Sequence, residues 1–318
     1  MWDFSIATTL GLVLRTWPFV LLRLAVYSLI AAGLVFGTVL GLVIGWIVGN
    51  ALSGESGLVG ATIGGLCGLG LVFGVLWWVR QYLVYLVKAG HVAAMDTLLR
   101  GGKLPSGLPQ IAHAVATVKA RFLEVNVLFG IDILIRGGVH ALVGLLDILT
   151  FWIPGFRAVN NLINAVLTIA LGLVDEIILA YIIRREDEPP ADAARDGLVL
   201  YAQNAGPLIR NAVWIVLFRL VALALIFLLV LGPAIALAYA LPDGLAGAGV
   251  IFAAIFAWGL AAALIEPLAI AALLQAYDRA IRGQTPDPEW TAKLDEASSA
   301  FRDLARRAPV PRAAPQPT

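Results

Sequence analysis

Long uninterrupted runs of apolar residues constrain this chain more than any other feature. Six runs exceed the roughly 20 residues that a helix needs to cross the hydrocarbon of a bilayer. They cover Pro18 to Gly49, Gly57 to Val87, Phe122 to Phe151, Val159 to Ile183, Ala212 to Ala240 and Gly247 to Gln275. Only 14% of the 318 residues are charged, and the mean hydropathy is +0.90, unlike a soluble domain. The sequence therefore predicts an all-α, polytopic integral membrane protein with six transmembrane helices.

The basic residues of the connecting segments predict the orientation of these helices. The turns Asn50 to Ser56 and Ala240 to Gly247 contain no Lys or Arg, and Phe151 to Val159 contains only Arg157. The other connections and the C-terminal tail are basic, as cytoplasmic loops are. We therefore expect a multi-pass protein of the bacterial inner membrane, with both termini cytoplasmic and the first span retained rather than cleaved.

The order of segments indicates a threefold internal repeat. Each unit begins with a mixed polar and apolar segment that ends in Arg and continues into a span, a tight turn and a second span. These leading segments are Asp3 to Arg15, Gly107 to Arg121 and Asp196 to Arg210. The ends of the first and third units also align, Asp96 to Gly101 with Asp278 to Gly283. The alternative is that any protein made of helical hairpins looks periodic.

The repeat predicts a division of the chain into residues 1–106, 107–190 and 191–288, followed by a cytoplasmic tail at 289–318 with a disordered end. Three units that share one orientation would be related by an axis along the membrane normal. We therefore expect three helical hairpins arranged as a pseudo-threefold bundle.

Glycines at four-residue spacing mark the first hairpin. They are Gly33, Gly37, Gly41, Gly45 and Gly49 on the outgoing helix and Gly60, Gly64 and Gly68 on the returning one. In lipid, small residues let helix backbones approach closely enough for dispersion contacts. The spacing predicts a glycine zipper that closes this hairpin, and the alternative is a seam between copies of the chain.

Ionisable residues inside the apolar runs are the candidate functional residues. They are Asp132, Arg136, His140 and Asp147 in the third run, Asp175 and Glu176 in the fourth, and Glu266 in the sixth. A charge at mid-depth costs roughly 2.5 to 3.5 kcal/mol on insertion scales, so these side chains must turn away from lipid. One hypothesis is a polar pathway that binds or relays a cation or proton. The other is a set of neutralised pairs that fix helix register.

Other classes of function find little support in the sequence. A net charge of +1 gives no basic face for nucleic acid. His91, His113 and His140 lack zinc-ligand spacing, and Cys67 is the only cysteine. Catalytic and nucleotide-binding motifs are missing. We therefore expect no enzymatic activity, no metal and no cofactor.

Two weak resemblances to known families follow from these segments. The order of segments, with the short amphipathic stretch Ala93 to Gly101, resembles the membrane domain of glycerophosphodiester phosphodiesterases and Yip-type proteins. The stretch Leu208 to Arg279, through Ile209-Arg-Asn211 and Glu266-Pro-Leu-Ala-Ile, is similar to the last two spans of choline-transporter-like proteins. Neither resemblance implies a catalytic residue or settles whether a solute moves.

Two functions are therefore predicted in parallel. The first is a transport or channel component whose pathway is lined by the third, fourth and sixth helices. The second is a non-transporting scaffold or lipid-handling accessory subunit. The lipid bilayer is the expected partner in both cases, together with a homo-oligomer or a membrane-protein partner.

Overall fold

A computed structural model describes residues 2–53, 56–122, 173–239 and 247–307, and every regular element in these ranges is a helix. The helices are α1 (Ile6–Arg15), α2 (Trp17–Ser53), α3 (Gly57–Leu99), α4 (Pro109–Phe122), α5 (Val174–Arg184), α6 (Pro190–Gln203), α7 (Ala205–Ala238), α8 (Ala248–Leu264), α9 (Glu266–Ala280), α10 (Pro288–Ala297) and α11 (Ser299–Arg307). The all-α prediction is confirmed for this part of the chain.

Four of the predicted spans are present as helices long and apolar enough to cross a membrane. They are Trp17–Leu52, Gly57–Leu76, Ala205–Ala238 and Ala248–Ala280. The third predicted span lies outside the described residues, and so does the fourth except for its last part, which forms α5. The count of six spans, the threefold repeat and the pseudo-threefold bundle therefore stay predictions.

The exits of the first and third predicted units end in the same way. Helix α3 ends at Leu99 and α9 ends at Ala280. Each is followed by a glycine with positive φ, Gly101 at +78° and Gly283 at +73°. Glycine adopts this left-handed conformation without steric cost, which is why it ends helices so often. The aligned sequences thus have matching local structures.

The predicted sixth span is divided into two helices. Helix α8 ends at Leu264 and α9 begins at Glu266, with Ile265 between them. Pro267 follows directly, and proline lacks the backbone N–H that would continue the helical bonding and crowds the carbonyl four residues earlier. The sequence Glu266-Pro267 therefore marks a kink in a membrane-length helix, and Ile265 keeps right-handed helical backbone angles there.

The chain contains two compact units. The first, here called the apolar unit, comprises Val13–Lys88 and Leu217–Ala269, and the second, the mixed unit, comprises Met1–Leu12, Ala89–Val216 and Ile270–Thr318. Small, branched and aromatic side chains form the buried core of the apolar unit. They include Val35, Leu42, Ala61, Ala234, Phe252 and Ala253, with a second group around Tyr27, Ile30, Leu34 and Ala263. Alanines at these positions allow helices such as α2 and α8 to pack closely.

Tyrosines and the C-terminal helices organise the mixed unit. The rings of Tyr181 and Tyr201 each contact the ring of Tyr277, with centroids 6.2 and 6.3 Å apart. The hydroxyl of Tyr277 donates a 2.9 Å hydrogen bond to the carbonyl oxygen of Gly197. Helices α10 and α11 pack on α6, and Phe301 of α11 is fully buried. These contacts give the mixed unit a core of its own.

Candidate functional site

Three charges lie together in the apolar unit, two of them buried and the third partly exposed. Glu266, only 5% exposed, has Arg23 on one side and Lys88 on the other. Its Oε2 atom is 3.9 Å from Arg23 Nη1, and its Oε1 atom forms an ion pair with Lys88 Nζ. Burial of a carboxylate requires such compensation, because an unpaired buried charge carries a large desolvation penalty. We call these three residues the ionic centre.

The ionic centre lies at the kink between α8 and α9. Arg23 Nη1 donates to the carbonyl oxygen of Ala262 at 3.5 Å, in the last turn of α8. Glu266 occupies the first turn of α9. Arg23 therefore contacts both the backbone and the carboxylate on the two sides of the kink.

The guanidinium of Arg23 is incompletely satisfied. Its side chain is fully buried, yet Nε and Nη2 have no hydrogen-bond partner in the described part of the chain. A guanidinium offers five N–H donors, so most of its capacity is unused here. Both Arg23 and Lys88 lie against the carboxylate of Glu266.

An apolar cleft lies beside the ionic centre in the same unit. It has a volume of about 260 Å³ and runs between α2, α7 and α8. Its walls are Tyr27, Ser28, Ala31, Val230, Pro233, Ala234, Leu237, Phe256, Gly259 and Leu260. Pro233 lies within α7, and the small residues opposite leave the space open. Tyr27 is one helical turn from Arg23, so the cleft and the ionic centre share the surface between α2 and α8.

The predicted glycine stripes face each other across the first hairpin. A Cβ atom on Gly41 would lie 2.1 Å from the carbonyl oxygen of Gly64, and one on Gly45 would lie 2.0 Å from that of Gly60. Gly37 and Gly68 approach each other in the same way, while Gly49 lies against Ser56. Gly33 has only the side chain of Leu76 within reach. Most of these glycines therefore contact the other helix of the same hairpin.

A second charged network lies in the mixed unit. Arg184 Nη2 is 2.5 Å from Asp96 Oδ1, and Arg184 Nη1 is 2.7 Å from Asp278 Oδ1. Burial by itself would lower the pKa of Arg184, but the charges and hydrogen bonds of Asp96 and Asp278 raise it above its ordinary value. Each carboxylate also pairs with an arginine one turn further along its own chain segment, Arg100 and Arg282. We call these five residues the arginine bridge.

The remaining candidate residues divide between the described and undescribed parts of the chain. Asp132, Arg136, His140 and Asp147 lie outside the described residues. Asp175 and Glu176 lie in the first turn of α5, where Glu176 is 5% exposed, and they belong to the mixed unit. Among the predicted pathway residues, Glu266 is therefore the one that the described part of the chain places in the apolar unit.

The sequence points to Glu266 but not to the partners that define its chemistry. In the sequence, Arg23 is only a charged residue early in the first span. Lys88 is only one of the basic residues that predict the orientation of the helices in the membrane. Arg184 likewise looks like one more cytoplasmic basic residue. Which residues of two helices meet depends on the rotation of each helix about its axis and on its depth in the membrane. A single sequence does not specify either. The alignment of Asp96 with Asp278 is the available signal for the arginine bridge.

No protein-family model, curated protein or solved structure matches the chain. The resemblances to the phosphodiesterase membrane domain, Yip-type and choline-transporter-like proteins therefore stay predictions. A functional proposal for this protein rests on the ionic centre and its surroundings.

Proposed function

We propose that the protein is a transport or channel component of the membrane, with Glu266 on its polar pathway. The observation that carries this proposal is a buried carboxylate beside a proline kink in a membrane-length helix. Intramembrane ionisable residues mark ion and proton pathways. Glu266 is such a residue.

The ionic centre supports a role for Glu266 beyond the fixing of helix register. A hydrogen bond between two neutral side chains would fix register at lower cost than the buried charges of Arg23 and Glu266. The carboxylate lies between Arg23 and Lys88, so a cation or proton that binds it on the pathway would weaken its attraction for both neighbours. The other predicted pathway residues belong to the third and fourth predicted spans.

The proposed location is the bacterial inner membrane, with both termini in the cytoplasm. Single cysteines at Leu52 and Arg282, introduced with Cys67 replaced by alanine, test the orientation. A membrane-impermeant maleimide added to intact cells should label the cysteine at position 52 and not the one at 282. Labelling of both positions from the same side would contradict the orientation.

Proton flux tests the transport proposal directly. The purified chain is reconstituted in liposomes that contain a pH-sensitive dye, and a potassium diffusion potential drives proton entry. We expect wild-type flux well above that of empty liposomes, and at least about a 100-fold reduction in Glu266→Gln, the lower end of what one proton-transfer group contributes.

A matched control separates this effect from general charge removal. Glu289 pairs with Lys293 on α10, but its side chain is 73% exposed. Glu289→Gln should therefore leave the flux unchanged. Wild-type flux no faster than that of empty liposomes, or equal flux in wild type and Glu266→Gln, would overturn the proposal.

A further inference from the structure

Helix α1 turns its polar contacts toward the protein. The side chain of Gln275, on α9, accepts a 3.1 Å hydrogen bond from the backbone N–H of Ser5 and donates one of 2.9 Å to the hydroxyl of Thr9. Thr9 and Gln275 are both buried, and so is Leu12, about one turn beyond Thr9. These contacts fix one side of α1 to α9.

The exposed side of α1 is divided into an apolar and a polar sector. Ile6, Leu10 and Leu14 recur at four-residue spacing, and they are 56, 46 and 70% exposed. With 3.6 residues per turn, these three residues cover about 80° of the helix circumference. Thr8 and Arg15 are exposed as well, and they lie about 100 to 120° beyond the edge of the apolar sector. An exposed apolar sector beside an exposed polar one is typical of helices that lie at a membrane surface.

A pair of tryptophans indicates the depth of α1. The ring of Trp2 contacts the ring of Trp214 with centroids 6.3 Å apart, and the two residues are 45 and 50% exposed. Next to Trp2, the carboxylate of Asp3 accepts 2.8 Å hydrogen bonds from Arg210 and Asn211. The predicted fifth span begins directly after Asn211. Because tryptophan is enriched at the membrane–water boundary, these contacts place the start of α1 at the level where that span leaves the hydrocarbon.

The length of α1 and its place in the chain favour lipid as the molecule that covers its apolar sector. The helix has ten residues, so it is about 15 Å long and too short to cross the roughly 30 Å of hydrocarbon. Arg15 ends α1, and Trp17 begins the membrane-length helix α2. The chain therefore enters the membrane directly after this sector.

We propose that α1 lies at the membrane–water boundary, with Ile6, Leu10 and Leu14 inserted among the lipid headgroups and the first carbons of the acyl chains. Trp2 inserts at the same depth, and Thr8 remains on the aqueous side. This role is compatible with a transporter and with an accessory subunit, so it does not rest on the proposed function.

Collision measurements on spin labels test the surroundings of the two sectors. Leu10→Cys and Thr8→Cys are made in the full chain together with Cys67→Ala, labelled with a nitroxide and reconstituted in vesicles of phosphatidylglycerol and phosphatidylethanolamine. Oxygen concentrates in lipid, whereas a nickel chelate stays in water. The label at position 10 should therefore collide more with oxygen, and the label at position 8 should collide more with nickel.

Two results of this measurement would overturn the proposal. A preference for nickel at both positions would mean that the apolar sector lies in water. Low collision rates with both reagents at position 10 would mean that protein covers the sector, so that a second copy of the chain or another membrane protein is its partner.

Depth-dependent quenching distinguishes a helix at the boundary from one near the middle of the membrane. A bimane fluorophore on Ile6→Cys is measured in vesicles whose lipids carry bromine either near the headgroup or near the end of the acyl chain. Bromine near the headgroup should quench this fluorophore more strongly.

Val221 provides the matched reference for depth. It is 60% exposed and lies nine residues beyond Ala212 on α7, which places it about 14 Å into the roughly 30 Å of hydrocarbon. Bimane on Val221→Cys should therefore be quenched more strongly by bromine near the end of the acyl chain. The same order of quenching at positions 6 and 221 would contradict a boundary position for α1.

Discussion

Arg184 donates to Asp96 at 2.5 Å and, through its other terminal nitrogen, to Asp278 at 2.7 Å. Asp96 lies near the end of α3 and Asp278 near the end of α9, while Arg184 is the last residue of α5. The residue therefore joins the exits of all three predicted repeats. Asp96 is fully buried, so this contact matters more than an exposed ion pair does.

Removal of Arg184 should destabilise the protein strongly. Arg184→Gln leaves the Asp96 carboxylate buried with Arg100 as its charged partner, and loss of one member of a buried pair typically costs about 3 to 5 kcal/mol. We expect a loss of this order in the free energy of unfolding, measured by denaturant titration in detergent.

An exposed arginine provides the comparison for this variant. Arg306 pairs with Asp303 one turn away, and its side chain is 79% exposed. Arg306→Gln should change the free energy of unfolding by less than about 1 kcal/mol. Equal effects of the two substitutions would mean that the arginine bridge contributes no more than a surface pair.

Substitution of the facing glycines should separate the first hairpin. An alanine Cβ at position 41 would lie 2.1 Å from the Gly64 carbonyl oxygen, well inside van der Waals contact. Overpacking of this kind typically costs about 1 to 3 kcal/mol. A Cβ atom on Gly70 would have nothing within 4 Å, so Gly70→Ala should be neutral or stabilising through helix propensity. Thermal unfolding of both variants in detergent measures the difference, and similar melting temperatures would contradict close packing.

The described helices show which parts of this fold are predictable from sequence. The apolar runs locate α2, α3, α7 and the α8–α9 pair, because a membrane-length helix has a strong local signal. The helices of the tail give no such signal, since α10 and α11 have low hydropathy and are stabilised by docking onto α6. Periodicity alone does not identify them.

The candidate site is predictable only in part. A carboxylate inside an apolar run is visible in the sequence, and so is the proline that follows Glu266. The identity of its partners is not visible, because Arg23 and Lys88 lie in distant parts of the chain. Their approach depends on how α2, α3 and α9 rotate and pack.

Two carboxyl groups in the mixed unit should contribute to the pH dependence of stability in opposite directions. Burial, followed by the charge of Glu188, raises the pKa of Asp196 above its ordinary value of 3.8. A raised carboxyl pKa favours the folded state when the group is protonated, so this contribution is lost as the pH rises through the folded pKa. Asp196→Asn should therefore increase stability at neutral pH relative to wild type and remove this loss.

Asp3 should behave in the opposite way. Hydrogen bonds from Asn211 and then Arg210 lower the pKa of Asp3 below 3.8. Its contribution is present above pH 3.8 and is lost as the pH falls through the folded pKa. Unfolding curves of Asp196→Asn and Asp3→Asn from pH 3 to 7 test this, and the same direction of change in both variants would contradict the assignment.

The C-terminal helices should detach when one aromatic side chain is removed. Phe301 is fully buried against α6, and the guanidinium of Arg195 lies 4.6 Å from the centre of its ring. Arg195 also donates to both carboxylate oxygens of Asp295 at 2.9 Å, so one side chain contacts both α10 and α11. Phe301→Ala should cost about 3 to 5 kcal/mol of docking free energy, because the cavity it leaves removes the main apolar contact of α11.

Limited proteolysis measures this detachment without unfolding the membrane-length helices. Trypsin should cleave near Arg302 and Lys293 much faster in Phe301→Ala than in wild type. Trp290→Ala on α10, where the side chain is partly exposed and contacts Lys293, serves as the control and should retain the wild-type rate. Cleavage of Phe301→Ala at the wild-type rate would mean that the polar contacts of Arg195 hold α10 and α11 in place without the buried ring.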